Sequence, residues 1–315
     1  MGRDKRYCSP ELYYLLTNRT IDGTFLFRPD DECNRIIGGV LARAASIHEV
    51  DLVCFTFLSN HFHLIARFPH RNMAEFMRDL QFGIARRINR LRDERVGPVF
   101  EARYDDEVLL DEAVLLEKIS YVVNNPVKDG LVVHPSAWPG VHSHRCHKEG
   151  VRWVGEWFDA AHWHNVSRRK GDQDPSCAWR TYSVRLHIPV CLPGATRDDR
   201  REAMLERIET DCSALRRQRT LHRRPRPPKV WVGMSWRRTK KLNNDKRSAP
   251  SPLAIGSCAE KVREHINMRR RLNAKYQRQL RRSWDGKSTQ YPTGTHPPAC
   301  NRCMNEEGVL GLPSG

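Results

Sequence analysis

Two apolar segments separated by two turn residues constrain the fold of this chain more than any other feature. The first segment reads DLVCFTFL from residue 51, and the second reads HFHLIARF and ends at residue 68. Ser59 and Asn60 lie between them, and both residue types are common in turns. Because strands joined by so short a turn pair antiparallel, residues 52–68 are predicted to form a β-hairpin.

Further strands and helices are predicted on either side of this hairpin. LYYLLT reads as a first strand, and PDDECNRIIGGVLARAASIHEV has the apolar spacing of a helix. After the hairpin come a long helix capped by Asn72, an extended pair in VFEARYDDEVLL, and a helix at 111–125 that Pro126 should end. The order strand, helix, strand, strand, helix, strand pair, helix indicates an α+β fold. We expect an antiparallel sheet with helices on its faces.

Positive charge is concentrated in the second half of the chain. The 315 residues carry a net charge of +17, yet residues 1–150 hold 20 Lys and Arg against 21 Asp and Glu. The remainder holds 34 basic against 16 acidic side chains. Such an excess favours a nucleic-acid partner, because Lys and Arg release condensed counterions when they meet phosphates. A solvated, poorly ordered basic tail is the alternative.

The length of the chain and its change in character near residue 150 predict two parts. A chain of this length is about right for two domains. We expect one domain at 1–149 and a basic extension at 150–315, partly helical, with linkers rich in Pro and Ser.

The sequence carries no membrane or secretion signal that we recognise. It contains no run of 18 apolar residues, and its N-terminus lacks the apolar core of a signal peptide. The ten cysteines follow no framework pattern, which fits free thiols in a reducing compartment. We therefore expect a cytoplasmic protein with no membrane partner.

Two histidines lie one residue apart in the second strand of the hairpin. Since side chains alternate faces along a strand, His61 and His63 share one face with Ile65, while Phe62 and Leu64 share the core face. Two imidazoles so close together suit a divalent metal ion. Two partly exposed histidines on a polar sheet face are the alternative.

A tyrosine and an asparagine lie four residues apart in the predicted helix at 111–125. Residues at this spacing share a helical face, so Tyr121 and Asn125 offer a phenol and an amide oxygen near the same place. Tyrosine can act as a covalent nucleophile. A surface tyrosine beside a C-terminal asparagine is the alternative, and Tyr104 is a rival for the nucleophile.

These two motifs, in this order, resemble those of a known family. NHFHL resembles the His-hydrophobic-His motif of the HUH endonucleases. ISYVVNNPVKDGLV resembles the tyrosine-helix signature of single-tyrosine transposases, which include the insertion-sequence-200-like and REP-associated tyrosine transposases. The resemblance covers residues 10–145. Ser59 departs from the pattern, because Pro is common at that position in the family; the difference concerns the turn and not the chemistry.

The resemblance implies a ferredoxin-like fold and strand cleavage and rejoining on single-stranded DNA. Tyr121 would attack a phosphodiester, form a 5′-phosphotyrosine bond and release a 3′-OH. His61, His63 and Asn125 would hold Mg²⁺ or Mn²⁺ against the phosphate. Reversal of the step by another 3′-OH would join strands, as DNA transposition requires.

The implied partner is single-stranded or hairpin DNA, bound by a monomer or a homodimer. Arg86, Arg87 and Arg90 of the second helix and Lys128 of the tyrosine motif are the candidate DNA contacts. Two other functions stay open: a replication initiator or relaxase with the same chemistry, and a domesticated, non-catalytic protein that binds DNA hairpins.

Two further groups of metal-binding residue types are weaker signals. HSHRCHKEG contains His142, His144, Cys146 and His147, but their spacing fits no standard zinc finger and favours a polar loop. Cys300 and Cys303 form a lone C-x-x-C pair with His296 upstream, and structural zinc wants four ligands.

Overall fold

A computed structural model describes residues 6–170, 174–219, 227–239 and 252–295 of the chain. Its strands are β1 (Tyr13–Arg19), β2 (Asp51–Leu58), β3 (His61–Arg67), β4 (Asp105–Leu109), β5 (Trp153–Phe158), β6 (Trp179–Val184) and β7 (Ala254–Ile255). Five of them form one sheet in the order β2-β3-β1-β4-β7, and β5 and β6 form a separate two-stranded sheet. The C-x-x-C pair of Cys300 and Cys303, with His296 upstream, lies outside the described residues.

Three longer helices alternate with the strands in the first half of the chain. They are α1 (Asp31–Ile47), α2 (Met73–Leu91) and α3 (Glu112–Val123). The later helices are α4 (Asn125–Lys128), α5 (His144–Glu149), α6 (Ala160–Lys170), α7 (Arg197–Arg219), α8 (Pro228–Val232) and α9 (Ala259–Trp284). None of the helices in the described ranges combines the length and apolar character that crossing a membrane would need.

The sheet confirms the predicted α+β, ferredoxin-like fold. The chain runs β1-α1-β2-β3-α2-β4, and β1 lies between β3 and β4 with antiparallel pairing on both sides. β2 pairs antiparallel with β3 at the edge, and β7 adds a short parallel pairing beyond β4. The basic second half is mixed in structure, with the two-stranded β5–β6 sheet and helices α6 to α9.

The β2–β3 hairpin forms as its sequence predicts. Leu58 pairs with His61, so Ser59 and Asn60 make a two-residue turn. Along β3, Phe62 and Leu64 are fully buried, while His61 and His63 are only half-buried. This alternation divides the sheet into an apolar face and a face that carries the two imidazoles.

Helices cover the two faces differently. On the apolar face, the rings of Phe57 and Phe62 stack at 5.1 Å, and Phe76 of α2 lies 5.6 Å from Phe68. α3 covers the imidazole face, where Ile65 belongs to the same core cluster as the apolar residues of α3. The sheet therefore separates α1 and α2 from α3.

The two-stranded β5–β6 sheet packs against α1 through close backbone approach. Trp153 donates from Nε1 to the carbonyl of Gly38 at 3.1 Å, and its ring lies 5.0 Å from Phe55. A Cβ on Gly39 would collide with the backbone of Glu156. Glycine is required here because the strand backbone lies where a side chain would be.

α7 covers the outer side of α3. Ile188, Leu192, Met204 and Ile208 complete the core cluster that holds Leu115, Ile119 and Val122. Polar contacts add to this packing: Ser120 donates from Oγ to Asp211 at 2.7 Å, and Asn124 donates from Nδ2 to the carbonyl of Ile208 at 2.8 Å. Residues beyond 150 thus complete the core beneath both faces of the sheet.

Contacts group the chain into two compact units. Ser9–Arg263 form one, and Met1–Cys8 with Glu264–Gly315 form the other. In the described part of the second unit, Cys8 donates from its backbone N–H to the carbonyl of Gly294 at 3.1 Å, and the rings of Tyr276 and Tyr291 lie 5.0 Å apart. The expected functional division between 1–149 and 150–315 stays a prediction.

Two predicted boundaries differ from those in the structure. Pro126 does not end a helix at 111–125: α3 ends at Val123, and Pro126 lies in the first turn of α4. Proline is tolerated there because first-turn N–H groups have no partner within the helix. Of the predicted extended pair in VFEARYDDEVLL, only Asp105–Leu109 is a strand. The earlier part makes a single isolated bridge, between Phe100 and Thr20.

Removal of the apolar contact between α7 and α3 should destabilise the unit formed by residues 9–263. Ile208→Ala should lower the free energy of unfolding in urea by about 2–5 kcal/mol, the usual cost of a buried cavity of this size. Glu206→Ala, on the exposed side of α7, is the matched control and should stay within about 0.5 kcal/mol of the parent. Equal stability of the two variants would contradict this packing.

Candidate active site

The two imidazoles of β3 lie side by side at the centre of the candidate site. The rings of His61 and His63 are 5.1 Å apart and nearly perpendicular. β3 is held between β1 and β2, with Thr17 and Thr56 as the cross-strand partners of His63. A strand paired on both sides fixes its side-chain directions, so the histidine pair is preorganised.

Asn60 orients the first imidazole. Its Oδ1 lies 2.8 Å from Nδ1 of His61. An amide oxygen only accepts, so Nδ1 carries the proton and Nε2 of the neutral ring carries the lone pair. A hydrogen bond of this kind on the far nitrogen is typical of histidines that bind metals.

α3 brings Tyr121 next to the histidine pair. The Tyr121 ring lies 5.5 Å from the ring of His63, again nearly perpendicular. Thr56 anchors α3 to the sheet by donating from Oγ to the carbonyl of Val122 at 2.7 Å. Tyr121 is half-buried, so its ring is packed while part of the side chain remains accessible.

Two lysines place positive charge on the Tyr121 ring. Nζ of Lys128, an exposed residue of α4, lies 4.1 Å from the ring centroid. Nζ of Lys118 lies 5.5 Å from it. Lys128 was predicted from the tyrosine motif. Lys118 was missed, although its position three residues before Tyr121 on one helix was a usable signal.

Asn125 lies next to the bend between α3 and α4. It is 2 % exposed, and its Oδ1 is buried with no hydrogen-bond partner. An unpaired buried acceptor is costly and therefore uncommon. The amide oxygen is thus available to a ligand that is not part of the chain.

The His63 imidazole is held neutral. Burial lowers the pKa of His63 well below its ordinary value; the Lys128 ammonium acts in the same direction, as does His61 when its ring is protonated. Its Nδ1 is buried and has no hydrogen-bond partner. A neutral imidazole with an unpaired nitrogen is the form that binds a metal ion.

The predicted DNA-binding arginines are not part of this group of residues. Arg86, Arg87 and Arg90 belong to α2, on the other face of the sheet. Arg87 donates from Nη2 to the carbonyl of Phe158 at 3.0 Å, and burial lowers its pKa to about 10. Arg87 therefore helps to hold the β5–β6 sheet, whereas Arg86 and Arg90 are exposed.

The rival tyrosine is much less accessible. Tyr104 is 5 % exposed and comes just before β4. An attacking oxygen must reach a phosphate, and Tyr121 meets this requirement better because it is half-buried beside the histidine pair.

A second group of possible metal ligands lies elsewhere in the same unit. Among the described residues, His134, His144 and Glu209 bring one ligand atom each to within 4.8 Å of one another. The expectation of a polar loop at HSHRCHKEG is wrong, because α5 forms there and buries His144, Cys146 and His147. The alternation of histidines was visible in the sequence, but the partner Glu209 is 65 residues further along the chain.

Comparisons with known proteins give partial likenesses of fold. No protein-family profile matches this chain, and no curated protein matches it. A solved structure of a REP-associated tyrosine transposase bound to a REP hairpin aligns with 47% of this chain and 86% of that chain, at 14% identity and a TM-score of 0.41. A crystal structure of a candidate transposase from Deinococcus radiodurans R1 aligns with 40% of this chain and 97% of that one, at 20% identity and a TM-score of 0.28.

Because both TM-scores are below 0.5 and both identities are low, these alignments carry no argument about chemistry. The chemistry of the site has to be inferred from the residues of this chain.

The neutral state of His63 can be tested by NMR. As the pH falls through about 6.5, where an ordinary imidazole titrates, the ring-proton shifts of His63 should not move, because burial disfavours the charged ring. Lys128→Met removes a nearby positive charge and should raise the pKa of His63 part of the way towards its ordinary value. The signal can be assigned by its loss in His63→Gln. Titration of His63 near pH 6.5 in the parent protein would contradict the buried, neutral ring.

Proposed function

We propose that this protein cleaves and rejoins single-stranded DNA through a covalent tyrosine intermediate, as a transposase does. One observation carries the proposal: the Tyr121 ring lies 5.5 Å from His63 of the adjacent histidine pair, with the Lys128 ammonium 4.1 Å from its centroid. A nucleophile, a pair of metal-ligand imidazoles and a phosphate-binding cation are the groups that phosphoryl transfer needs.

The reaction exchanges one phosphodiester for another. Oη of Tyr121 forms a bond to the phosphorus, and the bond from phosphorus to the 3′ oxygen breaks. The product is a 5′-phosphotyrosine and a free 3′-OH. The phenol loses its proton and the 3′ oxygen gains one, so the step needs no oxidant and no nucleoside triphosphate. Attack by another 3′-OH reverses the exchange and joins two strands.

The lysines assist at two points. Negative charge develops on Oη as its proton leaves, and positive charge near the ring stabilises it. The exposed ammonium of Lys128 can also contact a phosphoryl oxygen of the bound strand. Nζ of Lys118 lies 3.6 Å from Oε1 of Glu117, so its positive charge is partly balanced within the protein.

The site fits a divalent cation. His61 and His63 would supply imidazole nitrogens, and the buried, unpaired Oδ1 of Asn125 would supply an amide oxygen. This mixed nitrogen and oxygen set suits Mn²⁺, and the oxygen suits Mg²⁺. When bound, the cation would neutralise charge on the phosphoryl oxygens. The hydrogen bond from His61 to Asn60 orients one ligand in advance.

The positive second half would bind the rest of the DNA. We assign the catalytic residues to 1–149 and most of the phosphate contacts to 150–315, which carries the whole excess of positive charge. α9 is rich in Arg and Lys along its length. Single-stranded or hairpin DNA is the expected partner, with Arg86 and Arg90 of α2 as further contacts.

A phenylalanine at position 121 tests the nucleophile. Tyr121→Phe keeps the ring and its packing but has no attacking oxygen, so it should bind a hairpin oligonucleotide like the parent and form no covalent adduct. The adduct is measured as a shifted band on a denaturing gel, with an oligonucleotide labelled at its 3′ end, since that fragment stays attached to the protein. Tyr104→Phe is the matched control and should retain the adduct.

The same assay separates cleavage from the competing function. A protein that only binds DNA hairpins would give no adduct in the parent at any metal concentration. An adduct that persists in Tyr121→Phe and disappears in Tyr104→Phe would move the nucleophile to the rival residue.

Loss of either imidazole of the pair tests the metal. His61→Ala and His63→Ala each remove one proposed ligand and should abolish cleavage at low Mn²⁺, with partial recovery for a single variant at high Mn²⁺. His70→Ala, an exposed histidine paired with Glu49, is the matched control and should cleave normally. Full cleavage by the parent in excess chelator would falsify the metal role.

A further inference from the structure

A buried histidine and a half-buried histidine lie close to an exposed carboxylate of α7. Nε2 of His134 lies 3.1 and 3.2 Å from the two carboxylate oxygens of Glu209. Nε2 of His144 lies 3.7 Å from one of the same oxygens, and the two imidazole rings are 5.2 Å apart and nearly perpendicular. None of these residues belongs to the candidate active site.

His144 gives independent evidence that this cluster can take a ligand. The residue is 1 % exposed, and its Nε2 has no hydrogen-bond partner. The carboxylate oxygen at 3.7 Å is too far away to be one. A buried unpaired ring nitrogen is costly, and it is aimed at the carboxylate that His134 also contacts.

The spacing matches a tetrahedral metal site. Bonds of about 2.0–2.2 Å at tetrahedral angles put neighbouring ligand atoms roughly 3.4 Å apart. Oε1 of Glu209 lies 3.2 Å from Nε2 of His134 and 3.7 Å from Nε2 of His144, so these two distances lie close to that value. Only small side-chain movements would be needed to close the site on an ion.

Neighbouring groups can accommodate the change in protonation. The backbone N–H of Ser136 points at Nδ1 of His134 at 3.2 Å, so in the metal-free protein Nδ1 accepts and Nε2 donates to Glu209. The Ser136 hydroxyl lies 2.7 Å from the same Nδ1. Metal binding at Nε2 would move the proton to Nδ1, which would then donate a hydrogen bond to this hydroxyl, while the backbone N–H of Ser136 would give up its contact with Nδ1.

His142 belongs to the support of the site and not to its ligands. Its Nε2 lies 2.9 Å from the carbonyl of Val123, to which it donates, and its Nδ1 accepts from the backbone N–H of His144 at 3.4 Å. Both ring nitrogens are thereby used. These bonds connect the start of α5 with the end of α3.

We propose that His134, His144 and Glu209 form a second cation site in this protein, one that takes Zn²⁺. Two imidazoles and one carboxylate are a recognised zinc ligand set, with the fourth position open to water. Imidazole donors favour Zn²⁺ over Mg²⁺, which prefers oxygen ligands and retains its waters. The carboxylate of Glu209 is 50% exposed, so the ion has a path from solvent.

The bound ion would connect three separate parts of the unit. His134 lies just before a short turn at Pro135–Ala137, His144 begins α5, and Glu209 lies on α7. The neighbour of Glu209 on α7, Ile208, packs on α3 and accepts the hydrogen bond from Asn124. The site would therefore stabilise the support of the helix that carries Tyr121.

The test uses the full-length chain with His61→Ala and His63→Ala, so that the candidate active site cannot supply the binding. After chelation and dialysis, this protein is titrated with Zn²⁺ in a calorimeter and with Co²⁺ in a spectrophotometer. We expect one equivalent of Zn²⁺ and a rise in the melting temperature. Co²⁺ should show visible absorption bands typical of a tetrahedral site, without the near-ultraviolet band of thiolate ligands.

Glu209→Gln in the same background removes the charged ligand at a largely exposed position. It should fold like its parent, bind Zn²⁺ at least about tenfold more weakly, and lose the zinc-dependent rise in melting temperature. His134→Gln, also partly exposed, should behave in the same way. Glu49→Gln is the control, because it removes a carboxylate that contacts one histidine, His70, with no third ligand residue grouped with them in the described part of the chain.

Three results would overturn the proposal. The first is no stoichiometric Zn²⁺ binding in the background protein. The second is equal Zn²⁺ binding before and after Glu209→Gln. The third is a Co²⁺ spectrum with a thiolate band, which would place the ion on cysteines instead.

Discussion

Period-two alternation along β3 is the constraint on which the rest of this structure depends. Phe62 and Leu64 are fully buried on one side, so His61 and His63 must face the other. A shift of one residue in strand pairing would exchange the two sets and bury both imidazoles among phenylalanines. Pairing on both sides, with β1 and with β2, prevents that shift. The histidine pair therefore depends on the hydrophobic core of the opposite face.

The helix that carries Tyr121 has two supports. On the sheet side, Ile119 and Val122 pack on the cluster that includes Ile65. On the outer side, Met204 and Ile208 of α7 complete that cluster. A chain that ended near residue 150 would lose the outer support and expose apolar residues of α3. The second half of the chain is thus a structural requirement for the proposed chemistry, in addition to its proposed contact with DNA.

The two candidate cation sites differ in the charge of the side chains that would bind the ion. At the candidate active site, burial lowers the pKa of His63, and the proposed ligand Asn125 has a buried amide oxygen, so these donors are uncharged. Charge balance there would come from a phosphate. At the second site the carboxylate of Glu209 supplies the negative charge within the protein. The first site would thus rely on an anionic substrate for charge balance, whereas the second balances part of the charge of the ion with its own carboxylate.

The sequence by itself determined the elements and the local pairs. The β2–β3 hairpin, the alternation that puts His61 beside His63, and the position of Tyr121 on a helix all follow from spacings of two to four residues. Such spacings can be read because the geometry of a strand or a helix fixes the direction of each side chain. The order of the elements also predicted an antiparallel sheet with helices on its faces, and the resemblance that the two motifs carry implied the ferredoxin-like fold.

Tertiary structure decided which distant residues meet. The arginines of α2 face away from Tyr121, because the sheet lies between α2 and α3, and no local spacing reveals that separation. Glu209 reaches His134 and His144 only because α7 packs on α3. Proline was predicted to end a helix at Pro126. Because the chain bends at Asn124, Pro126 instead lies in the first turn of the short helix α4. Contacts between residues far apart in the chain depend on how the elements pack around one core, and a sequence pattern specifies only the face that each element buries.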